Sequence, residues 1–405
     1  MAETTGSDPD CCVVGGGPAG VVCAMLLARQ GVRVTLLEAQ EDFDRDFRGD
    51  TVHPSTLEML DGIGLADKVL AIDHVKLTRM SLSTADANVT LADFSHSGMQ
   101  FPYIAMLPQD ELLELLVAEA KRYETFTVLM GARATDLIVE DDTVVGLRFK
   151  RHGREESLRA KLVIGADGRG SNVRRLAGFV PVKASPPMDV MWMRVPRGDD
   201  ERPEAMTGFR VGRGRLLVVF ARSGQWQLGY IILKGTAREV RSEGLDALRE
   251  SVAALAPELS ERMTTLDDWK SIHFLSVESS RVPRWSRSGL LVIGDAAHVM
   301  SPAGGVGINY AIQDAVATAN LLGAKLADGP VTPRDLEAVQ NRRELPTKFI
   351  QWVQAQLQKQ LVARALRDEP FSLPFPVKLL AGTPYARTIL PRVIGMGLRP
   401  ELVQF

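Results

Sequence analysis

The stretch that decides the fold is residues 11–38, CCVVGGGPAGVVCAMLLARQGVRVTLLE. It reads as a buried strand (CCVV), a glycine turn, an apolar helix and a second strand that ends at Glu38. Gly31 supplies the left-handed residue that ends the helix. Two strands joined by a helix in this way predict a parallel, right-handed βαβ unit, the opening of a dinucleotide-binding domain.

The turn in this unit has the spacing Gly15-x-Gly17-x-x-Gly20, with Pro18 and Ala19 opening the helix. The glycines permit a tight turn, a close approach of backbone to a pyrophosphate and close helix packing, and the helix N-terminus attracts the phosphates. Glu38 is placed to accept hydrogen bonds from the ribose hydroxyls. This motif by itself does not separate FAD from NAD.

Two later motifs favour FAD. Residues 163–174, VIGADGRGSNVR, place Asp167 and Gly168 at the end of a strand, with Arg174 on the turn that follows. Residues 291–309, LVIGDAAHVMSPAGGVGIN, place Asp295 at a strand end, where it could hold a sugar-like chain such as ribitol. The glycines of this second motif let the chain run close to a flat ligand. The helix after it offers a positive end to the pyrimidine edge of a flavin.

With these three motifs in this order, residues 10–330 resemble the class A FAD-dependent aromatic monooxygenases, the para-hydroxybenzoate hydroxylase-like group. The resemblance implies that the glycine turn holds the FAD pyrophosphate, that Asp167, Gly168 and Arg174 serve FAD and the nicotinamide cofactor, and that Gly294 and Asp295 bind ribitol. It implies a flavin ring bordered by Pro302, Gly305, Gly307, Ile308 and Asn309. Arg48 and Gln109 match two further cofactor positions of the family: an arginine near the flavin, and a side chain that meets the FAD phosphate or ribitol.

The resemblance also implies a reaction. NADH or NADPH reduces FAD, dioxygen forms a flavin C4a-hydroperoxide, and this hydroxylates an aromatic or polyketide-like small molecule. The shared FAD motifs leave a flavin-dependent reductase or dehydrogenase open, as well as a non-catalytic flavin- or ligand-binding protein. A halogenase is disfavoured because the segment WMRVPR lacks the second tryptophan of that group's signature.

The expected fold class is α/β, a Rossmann-like FAD-binding domain interrupted by a β-sheet substrate domain and followed by C-terminal helices. The FAD-binding domain is predicted to comprise residues 1–74, 108–182 and 276–330. The β-rich substrate domain takes residues 75–107 and 183–275, and residues 331–405 form the helical region.

The β-rich region supplies the candidate substrate contacts, Trp192, Phe220, Trp226 and Tyr230, each of which could instead be a core aromatic. Tyr103 and His53 could deprotonate a phenol, or each could have a structural role instead. His298, beside Gly294 and Asp295, is expected to be a structural neighbour of the cofactor, and no catalytic base is assigned. The six histidines show no metal-ligand spacing, so no metal is expected.

Composition and charge limit the classes of partner that the chain is expected to bind. A formal net charge of −2 gives no basic stripe for nucleic acid, and the chain has no long uncharged apolar run for a stable membrane insertion. The three cysteines, Cys11, Cys12 and Cys23, are expected to be buried and unpaired, which favours the cytoplasm. The apolar, proline-rich segment 370–400 is expected to pack over the flavin domain or, alternatively, to touch a membrane. The partners are therefore an aromatic small molecule and dioxygen, and the oligomeric state is not readable.

Overall fold

The structure is a computed structural model that describes residues 8–44, 50–84, 87–198, 200–367, 369, 371 and 384–405. The strands, in chain order, are β1 (Cys11–Val14), β2 (Val34–Leu37), β3 (Thr51–Val52), β4 (Val75–Leu77), β5 (Arg79–Ser83), β6 (Asn88–Asp93), β7 (Ile104–Met106), β8 (Phe126–Leu129), β9 (Arg133–Glu140), β10 (Thr143–Arg151), β11 (Arg154–Arg159), β12 (Leu162–Gly165), β13 (Val182–Ala184), β14 (Met188–Pro196), β15 (Gly208–Gly212), β16 (Arg215–Arg222), β17 (Gln225–Leu233), β18 (His273–Leu275), β19 (Ser279–Arg281), β20 (Ser286–Arg287), β21 (Leu290–Val292) and β22 (His298–Val299).

The described helices are α1 (Pro18–Arg29), α2 (Pro54–Gly62), α3 (Ala66–Leu70), α4 (Gln109–Ala120), α5 (Asn172–Leu176), α6 (Pro203–Met206), α7 (Ala237–Glu243), α8 (Leu245–Leu255), α9 (Gly307–Asp328), α10 (Pro333–Leu357), α11 (Ala363–Ala365) and α12 (Pro384–Gly395). Short 3₁₀ turns lie between several of them, and a π-helical turn, Gln358–Val362, joins α10 to α11.

A six-stranded sheet in the order β20-β21-β12-β1-β2-β8 forms the centre of the predicted cofactor domain. Strands β21, β12, β1, β2 and β8 run parallel, and β20 is antiparallel at the edge. Because parallel strands end at one edge, the glycine turn after β1, Glu38 after β2, Ala166 after β12 and Ile293 after β21 meet there. The α/β Rossmann-like fold class is thus confirmed.

Helix α1 lies against this sheet, between α4 and α9. Its side chains from Ala19 to Ala28 are buried, as the nearly uninterrupted apolar sequence of the helix predicts. Cys11, Cys12 and Cys23 are buried in the same core, and all three are free thiols. Burial raises the pKa of Cys12 and of Cys23 to about 12, so these thiols stay protonated and unreactive at neutral pH.

A seven-stranded sheet in the order β18-β14-β17-β16-β15-β5-β6 makes up the β-rich region. One face packs against α8 and the 3₁₀ turns that follow it, and the other packs against the chain around α11 and α12. Two strands from the range expected for the substrate domain, β4 and β7, pair with β3 in a separate three-stranded sheet. The proposed division into domains therefore stays a prediction.

Two further three-stranded sheets complete the described strands: β11-β10-β9, and β13-β19-β22. Helix α10 packs on α9, and the chain after α12 returns to α9, where the backbone of Glu401 is bonded to the Gln313 side chain. Among the described helices, none combines the length and the apolar composition that crossing a bilayer requires.

Candidate FAD and substrate site

The glycine turn is so tight that it leaves no space for a side chain at Gly15 or at Gly20. Gly15 has φ +107°, and a Cβ there would lie 2.4 Å from the Ala166 carbonyl oxygen. A Cβ on Gly20 would lie only 1.8 Å from the carbonyl oxygen of Gly15. Gly17 is the extended N-cap of α1 and Pro18 its first residue, so the turn presents the N-terminus of a twelve-residue helix. These features fit the pyrophosphate of a dinucleotide.

Glu38 has a structural task in addition to its predicted contact with the ribose. The side chain is 4% exposed, and one carboxylate oxygen accepts the Gly16 N–H at 2.6 Å while the other accepts the Gln40 N–H at 2.9 Å. A carboxylate has about four acceptor positions, so ribose hydroxyls can still bind it. Glu38 therefore fixes the glycine turn and remains a predicted cofactor contact.

Hydrogen bonds between residues 167 and 173 stabilise the Asp167–Gly168 turn. The Asp167 carboxylate accepts the Ser171 hydroxyl and the backbone N–H groups of Asn172 and Val173, which caps α5. The Arg174 guanidinium donates to the carbonyls of Ala296 (3.0 Å), Asp295 (3.4 Å) and Arg169 (2.7 Å). Arg174 thus joins the 163–174 motif to the 291–309 motif, and the predicted contacts of both side chains with cofactors stay predictions.

The loop that carries Asp295 is held by a residue that the sequence analysis did not single out. Gly294 has φ +58°, and its N–H donates to the carboxylate of Asp314 at 3.1 Å. Asp314 is fully buried and also meets His298 Nε2 at 2.6 Å and the Arg343 Nε at 3.0 Å. The sequence does contain a sign of this role, because Asp314 is a carboxylate within a mostly apolar part of α9 that is buried from Ile308 to Ala319.

The 302–309 segment lies against β3. Gly305 has φ +63°, and a Cβ there would lie 2.6 Å from the Thr51 hydroxyl, which donates to the Gly305 carbonyl at 2.8 Å. The Asn309 amide oxygen accepts from His53 N–H and from the Thr56 hydroxyl, and its NH₂ donates to the carbonyls of Thr51 and Gly305. Asn309 thus fixes the loop beside the N-terminus of α9.

The remaining residues predicted to border the flavin belong to the same short segment. Pro302 precedes a 3₁₀ turn, and Gly307 and Ile308 begin the 22-residue helix α9. A helix N-terminus favours negative charge, such as develops on a reduced flavin. The segment therefore fits the pyrimidine edge of FAD.

Gln109 and Arg48 are the two remaining predicted cofactor contacts. Gln109 is the first residue of α4 and is 7% exposed, and its backbone N–H donates to the carboxylate of Asp50. Arg48 lies outside the described residues. Both cofactor contacts stay predictions.

The four aromatic candidates for substrate contact divide between the two faces of the large sheet. Trp192 and Phe220 are partly buried on the face that packs against the chain around α11 and α12. Trp226 and Tyr230 lie on the opposite face, packed under α8, where Trp226 donates to Glu201 and the Tyr230 hydroxyl bonds to Ser251. Their burial in this second core corrects the expected substrate contact of Trp226 and Tyr230.

Each candidate proton-transfer side chain is buried, and the two histidines are also hydrogen-bonded. Burial lowers the pKa of His53 to about 4, although a hydrogen bond to the Ile394 carbonyl opposes that shift, so His53 is neutral at pH 7. His298 contacts Asp314, and burial raises the pKa of Tyr103. No catalytic base is assigned, and the described residues contain no cluster of metal ligands.

Comparison with known proteins agrees with this geometry. A family model described as "FAD binding domain" matches residues 8–353. The chain belongs to this family. It is 31% identical over 392 residues to 6-methylpretetramide 4-monooxygenase of Streptomyces rimosus, with 96% of this chain and 92% of that protein covered. It is 27% identical over 369 residues to protoasukamycin 4-monooxygenase of Streptomyces nodosus subsp. asukaensis, with 86% and 88% covered.

Solved structures share the fold. A probable FAD-dependent monooxygenase from Pseudomonas aeruginosa superposes with a TM-score of 0.75 at 22% identity, covering 87% of this chain and 96% of that one. The OxyS anhydrotetracycline hydroxylase from Streptomyces rimosus gives 0.71 at 24% identity, covering 96% and 76%. The family and the sequence relatives confirm a class A FAD-dependent aromatic monooxygenase with FAD as its cofactor, over the reductase and non-catalytic alternatives.

Proposed function

We propose that this monooxygenase hydroxylates an aromatic, polyketide-like small molecule in the cytoplasm, with a nicotinamide cofactor as reductant. The proposal is supported by two neighbouring surfaces. The Thr51–Gly305–Asn309 contact fixes the backbone at the start of α9, which would border a flat ligand. Trp192 and Phe220 share one face of the large sheet, and Arg222, two residues after Phe220, pairs with Asp50, the residue before Thr51. Two of the sequence relatives are named as monooxygenases of 6-methylpretetramide and of protoasukamycin, and the free, buried cysteines agree with a reducing compartment.

Bound FAD would supply hydride acceptance and oxygen activation, and the chain's own residues would supply the binding and the dry environment. The 15–20 turn and Glu38 would hold the adenosine diphosphate part, and Asp295 the ribitol. The apolar clusters around Phe220 and Trp192 would exclude water from the substrate. Excluding water matters because water entering the site favours release of hydrogen peroxide over product.

The function is tested by measuring NADH and NADPH oxidation by FAD-loaded protein against a panel of phenols, aminoaromatics and polycyclic quinones under ¹⁸O₂. We expect at least one polycyclic phenol to accelerate NAD(P)H oxidation about tenfold or more and to gain one ¹⁸O atom, with little hydrogen peroxide. The proposal would be contradicted by two results together. A compound would be consumed along with NAD(P)H without gaining ¹⁸O, and no compound of the panel would give a hydroxylated product.

The predicted ribitol contact gives a separate test. Asp295→Ala should lower the FAD that copurifies with the chain at least tenfold, because a charge-assisted hydrogen bond contributes about 1.5–3 kcal/mol. The measurement is flavin absorbance per polypeptide. Asp328→Ala, which removes an exposed carboxylate at the end of α9, is the matched control and should retain full FAD. Equal flavin content in both variants would show that Asp295 does not hold the cofactor.

A further inference from the structure

Helix α10 and the π-helical turn after it carry a buried stripe of glutamines. Gln351, Gln354 and Gln358 follow one another at spacings of three and four residues, which places them on one face. They are 8%, 2% and 4% exposed. A buried amide is costly unless its hydrogen bonds are made, so the partners of this stripe show what it is for.

Two of the glutamines hold the chain that is predicted to border the flavin. The Gln354 NH₂ donates to the carbonyls of Ser301 and Ala303, both at 2.8 Å, and so spans Pro302. The Gln358 NH₂ donates to the Ser301 hydroxyl, and Ser301 is itself buried. The backbone on both sides of the proline is therefore fixed to α10 and the turn that follows it.

The third glutamine holds a pair of strands instead. The Gln351 NH₂ donates to the carbonyls of Ser280 at 3.0 Å and Val299 at 3.1 Å, and these two residues are paired between β19 and β22. The Gln351 oxygen accepts from Arg281 at 3.1 Å. By contrast, within the part of the chain that the structure describes, the buried Oε1 of Gln354 has no partner. An unmet buried acceptor lowers stability, so the Gln354 amide is better explained by the loop that it holds than by stability.

The Gln354 contact sets the direction of one peptide group. The Ala303 carbonyl and the Gly304 N–H belong to the same peptide, and a trans peptide places them on opposite sides. With the carbonyl bonded to Gln354, the N–H faces away from α10. On that side the 302–309 segment meets Thr51 of β3, where the flavin is predicted to lie. A backbone N–H there favours negative charge, as the start of α9 does.

We propose that Gln354, supported by Gln358, is a positioning residue of the flavin site. Its amide holds the 301–303 backbone so that the N–H side of the 302–309 segment faces the pyrimidine edge of FAD. The inference rests on the predicted placement of the flavin beside this segment, and it is independent of the substrate. Because reduction places negative charge on the flavin, a segment held in this way stabilises reduced FAD more than oxidised FAD.

The test is the midpoint reduction potential of FAD in the loaded protein, measured anaerobically against a reference dye. Gln354→Met nearly keeps the volume of the side chain and removes both donors. We expect the ratio of the affinities for reduced and oxidised FAD to fall about tenfold, which lowers the potential of a two-electron couple by about 30 mV. Gln358→Met, which loses only the contact with Ser301, should lower the ratio about threefold.

Two other glutamines of α10 separate a positioning role from a structural one. Gln351→Met also removes the donors of a buried amide, and it should lower the thermal unfolding midpoint at least as much as Gln354→Met does. It should leave the affinity ratio as in the wild type, because its partners lie in the paired strands. Gln356→Met, on the exposed face, should change neither quantity. A wild-type ratio in Gln354→Met, or an equal fall in Gln351→Met, would overturn the inference.

Hydrogen exchange of the apoprotein decides the case in which Gln354→Met does not retain FAD. We expect the amides of residues 303–306 to exchange about tenfold faster than in the wild type, while those of β1 and β12 exchange at the wild-type rate. Unchanged exchange in residues 303–306, or equal acceleration in β1 and β12, would overturn the inference. None of these measurements needs turnover, so the ¹⁸O test of the proposed function is decided separately.

Discussion

Gly20→Ala is expected to abolish FAD binding and to lower the free energy of unfolding by more than about 3 kcal/mol, at the severe end of single substitutions. The added Cβ would stand 1.8 Å from the Gly15 carbonyl oxygen, a backbone atom that has no freedom to move away. Relief requires α1 to shift, and α1 is buried along most of its length between the sheet and α9. The shift would also move the helix N-terminus away from the pyrophosphate.

The measurement for Gly20→Ala is flavin absorbance per polypeptide, together with the thermal unfolding midpoint of the apoprotein. Gly62→Ala is the matched control, because it lies in α2 and a Cβ there meets nothing within 4 Å. We expect the control to bind FAD fully and to unfold within about 1 kcal/mol of the wild type. A Gly20→Ala protein with stoichiometric FAD would show that the turn is looser than its geometry indicates.

Asp314→Asn is expected to lower the free energy of unfolding by about 3–5 kcal/mol, the range for breaking a buried ion pair. Asp314 and Arg343 are 0% and 1% exposed, so the substitution removes the carboxylate at 3.0 Å from the buried arginine and leaves it the more distant Glu401 carboxylate at 3.9 Å. An asparagine keeps one acceptor for the Gly294 N–H but cannot balance the charge. Because that N–H belongs to the ribitol loop, FAD retention should fall as well.

The pH dependence of Asp314 gives this prediction a second readout. Burial opposes ionisation, but the neighbouring His298 and Arg343 prevail and hold the pKa of Asp314 below its ordinary value of 3.8. The stabilising contribution is therefore complete above pH 4 and is lost as the pH falls through the lowered pKa. Asp314→Asn should flatten the acid limb of a denaturation series against pH, relative to wild type.

Two variants complete the test of Asp314. Asp328→Asn, at the exposed end of the same helix, should change the free energy of unfolding by less than about 0.5 kcal/mol. Combining Asp314→Leu with Arg343→Met removes both charges and should recover part of the loss, since an apolar pair avoids an unmatched buried charge. An Asp314→Asn protein as stable as the wild type would mean that the ion pair contributes little.

The aromatic residues of the large sheet show which substrate contacts could be predicted from the sequence and which could not. Strand β17 alternates at its start, where Gln225, Gln227 and Gly229 are interleaved with Trp226, Leu228 and Tyr230, although every residue from Trp226 to Ile232 is buried. The alternation places Trp226 and Tyr230 on one face of the strand, but both faces are covered. The sequence therefore does not show that α8, and not the substrate, covers that face. Only the cross-strand register separates them from Trp192 and Phe220.

The sequence by itself determined the cofactor side of this protein. Pyrophosphate binding needs a glycine turn between a strand and a helix, all of it within residues 11–38, and such local geometry is written in consecutive residues. Tertiary structure alone decided which distant side chains meet: Asp314 with Arg343, Asp50 with Arg222, and Asn309 with Thr51. These pairs join segments from 29 to 258 residues apart. The physical reason is that a side chain's partner across the core is set by packing and register, which leave no periodic mark on either segment.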